Sequence, residues 1–408
     1  MIPHDGRIGL VLMGGGARAA YQVGVLDAIR QVLAEAGWPA SRNPYPIICG
    51  TSAGAVNAAA LASGCDDAGA AVCAIVERWS TLHAGDIYRT DAMGALGNAA
   101  HWISSLLLGW IVRTHPRSLF DNSPLESLLP RLIDPHRIAR SLESGKLRAL
   151  AITASSYTSG QHVTYFQAGE PLAPWSRTQR LACPSVISID HVLASSAIPF
   201  VFPAVALDLD GRHEYFGDGS MRQLSPISPA IHLGADRILV IGAGQLEAGT
   251  VQAPHTGSQY AYPSLAQIAS HSLSSIFLDG LAYDIERLSR INRTLSLIPE
   301  ERRLHSTLRP IEILAITPSR RLDSMAAGLA SALPRSVRTI LRVTGGTDRR
   351  SAALLSYLLF EPVYTRELIA LGRNDAFARR AEVLALFGLG SGEPLRTCVA
   401  PPAIVANR

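Results

Sequence analysis

Apolar runs that alternate with amphipathic segments set the organisation of this chain. Residues 8–13 are an apolar run that ends in three glycines, and the next segment has apolar side chains at helical spacing. A second apolar run ends at residue 49 and leads through a glycine-containing turn into a helix of small residues. Further strands are predicted at 148–154, 162–167, 213–218, 237–242 and 311–316. This alternation predicts an α/β fold with three layers, α/β/α, in which helices cover both faces of a mostly parallel sheet.

The helical patterns near the end of the chain predict a division into regions. A long helical pattern runs from 264 to 297, and the strand at 311–316 returns to the sheet. We therefore expect a first domain over residues 1–318. Residues 319–390 have the pattern of consecutive helices and predict a helical C-terminal region, and the proline-containing residues 391–408 predict a flexible tail.

The turn after the second strand contains a candidate nucleophile. Residues 50–54 are Gly-Thr-Ser-Ala-Gly, which fits the G-x-S-x-G nucleophile elbow between a strand and a helix. Gly50 and Gly54 leave room for a sharp turn that points the hydroxyl of Ser52 out of the chain, and the helix start offers free N–H groups to an oxyanion. The motif alone is weak evidence, because a capping serine in a small-residue turn has the same pattern.

The glycines after the first strand add a second candidate element. Gly14, Gly15 and Gly16 allow successive N–H groups to point into one concavity, which favours an anion. The same residues fit a relaxed dinucleotide-binding fingerprint. A dinucleotide site needs an acidic residue at the end of the second strand, where this chain has Cys-Gly-Thr-Ser, so an oxidoreductase is disfavoured.

A candidate general base follows 166 residues after the serine. The strand that begins at His213 ends in Asp218, which lies between two glycines. Asp218 could accept the Ser52 proton if it lies within hydrogen-bond reach and is partly desolvated. The alternative is an ordinary Asp-Gly turn.

These motifs, taken in order, resemble the patatin-like phospholipase family. The resemblance includes GGGAR at 14–18, GTSAG at 50–54, the segment ASSAIPFVFP at 194–203 and Asp218-Gly219, and it spans about residues 7–245. It implies that Ser52 is the nucleophile, Asp218 the base, and the amides of Gly14, Gly15, Gly16 and Ala53 the oxyanion hole. Arg18 occupies the basic position of the glycine loop, where it would steady the loop or contact a lipid phosphate. Ser220 departs from the family, which more often has Gly or Ala there.

The resemblance implies a serine lipid acyl hydrolase that acts on phospholipids or lysophospholipids through an acyl-enzyme, with no metal and no cofactor. A thioesterase or transacylase on the same site, or an inactive regulatory homologue, are the alternatives. A Ser-Asp dyad requires none of the twelve histidines. We expect His191 and His213 to be structural or surface residues, and a triad that uses His213 is the remaining alternative.

Composition narrows the setting of this activity. The 408 residues are 48% hydrophobic, yet no run reaches the ~18 apolar residues that cross a bilayer. Five scattered cysteines without C-x-x-C pairing are typical of reduced thiols, and a cleavable leader would include the first strand. We therefore expect a cytoplasmic protein.

Two features suggest reversible contact with a membrane surface. Trp102, Leu106 and Trp110 recur every four residues in a short apolar segment, which is typical of an interfacial helix or of a buried core helix. Residues 301–350 contain ten arginines against four acids, or +6, whereas the whole chain is +4. Arg335, Arg338 and Arg342 would lie on one helix face, which could attract anionic head groups or simply be solvated. No recognition motif accompanies the charge, so nucleic acid is disfavoured.

Overall fold

The computed structural model describes residues 7–91, 118–245, 265–303, 306, 308–343 and 352–390. The described residues form a ten-stranded sheet with helices on both faces. The predicted α/β class with a mostly parallel central sheet is confirmed. The strands are β1 Ile8–Leu12, β2 Ile47–Thr51, β3 Ala149–Ser156, β4 His162–Ala168, β5 Ser176–Arg177, β6 Arg180–Pro184, β7 Val205–Leu209, β8 Arg212–Asp218, β9 Arg237–Ile241 and β10 Glu312–Ile316.

Most of the helices connect these strands, and the last five follow β10. They are α1 Ala20–Glu35, α2 Ala53–Ser63, α3 Ala68–Thr81, α4 Ser123–Leu132, α5 Pro135–Glu143, α6 Ile189–Ser195, α7 Ser228–His232, α8 Leu265–Ser296, α9 Glu300–Arg303, α10 Leu322–Ala326, α11 Arg335–Val343, α12 Ala352–Leu358, α13 Pro362–Ala378 and α14 Arg380–Leu386. The segment predicted to be helical at 264–297 is therefore a single helix, α8.

The sheet has the order β10-β9-β1-β2-β3-β4-β6-β5, and β8 and β7 extend it beside β3. Strands β10, β9, β1, β2 and β3 run parallel to one another, whereas β4 and β8 are antiparallel to β3. Successive side chains of β1 belong to different cores: Leu10 and Leu12 lie in one apolar cluster, Val11 in the other. This alternation follows from the pleat of a strand that is buried on both faces. The two clusters are the interfaces between the three layers.

The C-terminal helices pack closely on the first helix of the chain. A Cβ on Gly24 of α1 would overlap the backbone of Ile369 in α13, and one on Gly372 would overlap the backbone of Tyr21. The Tyr21 hydroxyl donates to Asp375 at 3.0 Å. Apolar residues of α11 to α14 belong to the same cluster as those of α1 and α2. The C-terminal region therefore shares its core with the first part of the chain.

The segments that suggested membrane contact are only partly described. Residues 102–112 and the predicted tail at 391–408 lie outside the described residues. Arg335 and Arg338 lie on α11 as predicted, the first exposed and the second half-buried. Among the described helices, none alone has the length and apolar character of a membrane span, and only the bent pair Ala53–Ser63 and Cys65–Thr81 satisfies those criteria together.

Candidate active site

Strand register brings the candidate nucleophile and base to the same place. Thr51, the last residue of β2, pairs with Thr153 of β3, and Asp218, the last residue of β8, pairs with Ala154. Strand β4 occupies the opposite edge of β3 throughout, so β8 begins to pair with β3 where β2 ends. Ser52 follows Thr51 directly and therefore meets Asp218.

The backbone at Ser52 is the sharp turn that the elbow motif predicts. Its φ of 57° and ψ of −132° are uncommon for a residue with a side chain. A Cβ on Gly50 would come within 2.6 Å of the Ala58 Cβ, and one on Gly54 would overlap the Leu12 carbonyl group of β1. The two flanking glycines thus permit close packing of the turn, which holds Ser52 in its strained conformation.

The hydroxyl of Ser52 donates a hydrogen bond of 2.5 Å to Oδ2 of Asp218. The other carboxylate oxygen, Oδ1, accepts the Ser220 N–H at 2.8 Å. Asp218 is fully buried, and burial raises its pKa to about 6 despite these two hydrogen bonds. A carboxylate with such a pKa, in contact with a hydroxyl, can accept the proton of that hydroxyl near neutral pH.

The end of α6 and the residues that follow it fix the geometry of both groups. The Ser195 hydroxyl accepts the Ser52 N–H at 2.9 Å and donates to the Thr153 carbonyl group at 2.6 Å. The Ser196 hydroxyl lies 3.2 Å from the Ser52 carbonyl oxygen and 2.8 Å from the Val192 carbonyl oxygen, and the two acceptors share its one proton. The N–H of Asp218 donates to the Ala197 carbonyl group at 2.9 Å. The ASSA segment is therefore the structural link between the serine and the aspartate.

The glycine loop lies beside the elbow. A 3₁₀-helix, Gly16–Ala19, follows Gly15, and Gly16 has a φ of +54°. None of the hydrogen bonds among the described residues uses the N–H of Gly14, Gly15, Gly16 or Ala53 as a donor. Gly16, Ala53 and Ser52 line one pocket together. Of the four predicted oxyanion donors, Gly16 and Ala53 therefore lie at the pocket with Ser52, whereas Gly14 and Gly15 are not among its lining residues.

Arg18 does not line that pocket. Its side chain is only 4% exposed, and its Nε donates to the Ser356 hydroxyl at 2.7 Å. This placement favours the first of the two predicted roles, in which Arg18 steadies the loop, over contact with a lipid phosphate.

Two buried polar residues that the sequence analysis did not single out, Asn57 and Gln22, connect the elbow, the loop and the pocket. Asn57, on α2, donates to the Gln22 side chain at 3.1 Å and accepts the Trp79 indole N–H at 2.7 Å. Gln22 donates to the Met13 carbonyl group at 2.6 Å, just before the glycines. Asn57 is a polar residue among the small apolar residues of α2, and this contrast was the available signal in the sequence.

Two further residues contact the segments that carry Ser52 and Asp218. The Gln223 amide donates to the Thr51 hydroxyl at 2.6 Å. The ring Nε2 of buried His162 lies 3.0 Å from the Gly219 carbonyl oxygen, and burial lowers the pKa of His162 to about 4. A Cβ on Gly219 would overlap the Thr153 carbonyl group, so glycine is required at this turn. No local pattern in the sequence pointed to Gln223 or His162.

The other histidines near these segments have no contact with the serine. His213 is exposed on β8, where it pairs in register with Asp208. His191 caps α6 through its contact with Ser188, and burial lowers the pKa of His191 to about 4. The described part of the chain also contains no cluster of three acidic, histidine or cysteine side chains suited to a metal ion.

An apolar pocket leads to Ser52. Its walls come from α2, α3, α4, the segment before β7 and Phe360, and Arg78 is the one charged residue among the described residues that line it. Such a lining favours a hydrocarbon chain over a polar ligand. The lining residues are Gly16, Ser52, Ala53, Val56, Arg78, Trp79, Leu82, Ile87, Leu125, Leu128, Leu132, Ser196, Ile198, Phe202 and Phe360.

Comparison with known proteins gives one family match. The model of the family described as "Patatin-like phospholipase" matches residues 10–231. A search of curated protein sequences found no match. Among solved structures, the chain is similar to VipD from Legionella pneumophila, with a TM-score of 0.30 and 14% sequence identity over 90% of this chain and 67% of that one.

Proposed function

This chain belongs to the patatin-like phospholipase family, a family of lipid acyl hydrolases, and we propose that it hydrolyses phospholipids or lysophospholipids with Ser52 as nucleophile and Asp218 as base. The observation that carries the proposal is the 2.5 Å hydrogen bond from Ser52 to Asp218 beside an apolar pocket. A nucleophile in contact with its base is the geometry that covalent acyl transfer needs.

In the proposed reaction, Asp218 accepts the Ser52 proton while Oγ attacks the ester carbonyl carbon. The negative charge that develops on the carbonyl oxygen is stabilised by the N–H groups of Gly14, Gly15, Gly16 and Ala53. Asp218 then donates the proton to the leaving alcohol, and the acyl group remains on Ser52. A water molecule attacks this acyl-enzyme, Asp218 takes up its proton, and Ser52 regains a proton as the fatty acid leaves.

The pocket supports the choice of substrate class. Its aliphatic and aromatic walls would hold the acyl chain, with the ester at Ser52. This arrangement places no requirement on the leaving group. Ser52 could therefore react with an ester or a thioester, and the acyl group could pass to water or to another alcohol. Phospholipid and lysophospholipid esters are the proposed substrates because the matched family is described as phospholipases.

The test is product analysis with the purified protein on defined lipids. We expect release of free fatty acid from phospholipid or lysophospholipid vesicles by the wild type and none by Ser52→Ala. Parallel assays with an acyl thioester, and with an added alcohol acceptor, separate hydrolysis from thioesterase and transacylase activity. A wild-type protein that releases no acyl group from any of these donors would contradict the proposal.

A further inference from the structure

Arg18 connects the glycine loop to a part of the chain more than 330 residues away. Its Nε donates to the Ser356 hydroxyl at 2.7 Å, Nη1 lies 3.3 Å from the Tyr357 hydroxyl and Nη2 lies 3.5 Å from the Ala353 carbonyl oxygen. The guanidinium group also lies 4.1 Å from the centroid of the Tyr357 ring. We call Ala353, Ser356 and Tyr357, which belong to α12, the C-terminal clamp.

The contact is polar and buried, so it has a defined geometry. A buried guanidinium group is costly unless its N–H groups find partners. A planar guanidinium group with several partners is held in one orientation, which a lysine ammonium cannot reproduce. Arg18 also lies in the field of Asp323: burial opposes ionisation of that carboxyl, but the Arg321 and Arg18 charges keep its pKa below the usual value.

The clamp also touches the loop backbone directly. A Cβ on Gly16 would overlap the carbonyl group of Tyr357, so the two backbones are in close contact. Gly16 is one of the predicted oxyanion donors and lines the pocket. The position of α12 thus limits where the Gly16 amide can lie.

The chain continues from α12 into the pocket wall, and hydrogen bonds hold it on both sides of Phe360. Phe360, two residues after α12, lines the pocket together with Ser52. The Tyr88 hydroxyl donates to the Leu358 carbonyl group at 2.8 Å. Next to Phe360, Glu361 accepts the Ala84 N–H at 3.3 Å. These contacts hold residues 358–361 against the pocket wall.

We propose that the C-terminal clamp is a positioning element of the active site, which acts through Arg18 to fix the amides of the glycine loop. The proposal rests on the proposed function, because it assigns the loop amides a role in oxyanion stabilisation. It makes α12, a helix of the C-terminal region, a support for the active site. Ser356 and Tyr357 are positioning residues, since neither lines the pocket.

The test compares two arginines that join the N-terminal and C-terminal parts of the chain. Arg18→Lys keeps the charge but loses the planar contacts with Ser356 and Tyr357. Arg373→Lys is the matched control, because Arg373 bonds to Asp27 on α1, and none of the hydrogen bonds between described residues joins it to the glycine loop. Ser356→Ala removes a single hydroxyl and serves if Arg18→Lys does not fold.

For hydrolysis of a small soluble ester, we expect Arg18→Lys and Ser356→Ala to lower kcat by between about 10-fold and 100-fold with little change in KM, because misplaced groups cost turnover rather than binding. Arg373→Lys should lower the Tm but keep kcat. Hydrogen exchange of the peptide that contains residues 8–19 should speed up in the first two variants and not in the control.

Unchanged kcat in folded Arg18→Lys and Ser356→Ala would overturn the clamp proposal, as would an equal loss of kcat in Arg373→Lys. A wild-type protein that neither cleaves esters nor reacts with a fluorophosphonate would instead overturn the proposed function. The exchange measurement distinguishes the two failures, because it reports on the loop amides whether or not the protein turns over.

Discussion

The Ser52 hydroxyl and the Asp218 carboxylate meet through a 2.5 Å hydrogen bond although 166 residues separate them in sequence. Two strand pairings with β3 create this contact, one parallel and one antiparallel. Both side chains are almost fully buried. Burial is the reason that the Asp218 pKa is raised, and the first two predictions depend on it.

Activity should depend on the ionisation of Asp218. Because the proposed base works as a carboxylate and its pKa is raised to about 6, kcat/KM for a neutral ester should fall as the pH drops below 6. Well below that value, the loss should approach about tenfold per pH unit. The pH profile of kcat/KM is the measurement, and a profile that stays flat from neutral pH down through the range of an ordinary aspartate would contradict it.

The same burial should make Asp218 a cost to stability. Because the pKa of Asp218 is raised in the folded chain, this carboxyl group ionises more readily in the unfolded chain. The free energy of unfolding therefore falls from about pH 4 to about pH 6, and this loss is constant above pH 6. Asp218→Asn removes this loss of stability. The gain in unfolding free energy of the variant over the wild type should therefore be larger at pH 7 than at pH 4, by at most about 3 kcal/mol. Thermal unfolding of both proteins at the two pH values checks this. An equal gain of the variant over the wild type at pH 4 and at pH 7 would contradict a raised pKa of Asp218.

The glycine loop gives a steric prediction. A Cβ on Gly15 would come within 2.5 Å of the Ala243 Cβ, so Gly15→Ala must displace the loop. Losing one oxyanion donor typically lowers kcat by about 10² to 10³. Ala243→Gly in the same chain would make room and should restore part of kcat, with Ala243→Gly alone as the control. Normal turnover in Gly15→Ala would mean that the oxyanion is bound elsewhere.

The elbow and the glycine loop could be recognised from the sequence, because each motif has a local geometric reason in its own residues. Asp218 could be assigned only through the resemblance to the family, because an Asp-Gly turn alone is common. Strand β5 was not predicted, since it has only two residues and both are exposed. Strand β7, Val205–Leu209, was not predicted either, although its sequence places the polar Asp208 between Leu207 and Leu209, and that alternation was the available signal.

The contacts that position the motifs were harder to predict. The partners of Arg18 lie 335 to 339 residues downstream, and α12 has no sequence feature that marks it as their source. Gln223 and His162 likewise occur in ordinary segments and act only through the tertiary fold. Long-range packing, rather than local propensity, determines this second layer of the site.

Membrane contact remains a proposal that depends on the sequence pattern of residues 102–112 and on exposed Arg335. If the tryptophans lie in the membrane interface, the double change Trp102→Ser and Trp110→Ser should weaken binding to anionic vesicles and lower activity on them. Hydrolysis of a small soluble ester and the Tm should stay the same. A joint fall of both activities and of the Tm would identify the tryptophans as core residues.

The most direct test of the central claim is the turnover of Ser52→Ala, Asp218→Asn and the double variant, together with mass-spectrometric mapping of a fluorophosphonate adduct. If Ser52 and Asp218 act as one unit, each single variant should lose nearly all activity, the double variant should lose no more, and the wild type should carry the adduct on Ser52. Labelling of Ser52 should become much slower in Asp218→Asn, because the Ser52 hydroxyl then lacks a base. Strong turnover in folded Asp218→Asn, or an adduct on another residue, would contradict the Ser52–Asp218 mechanism.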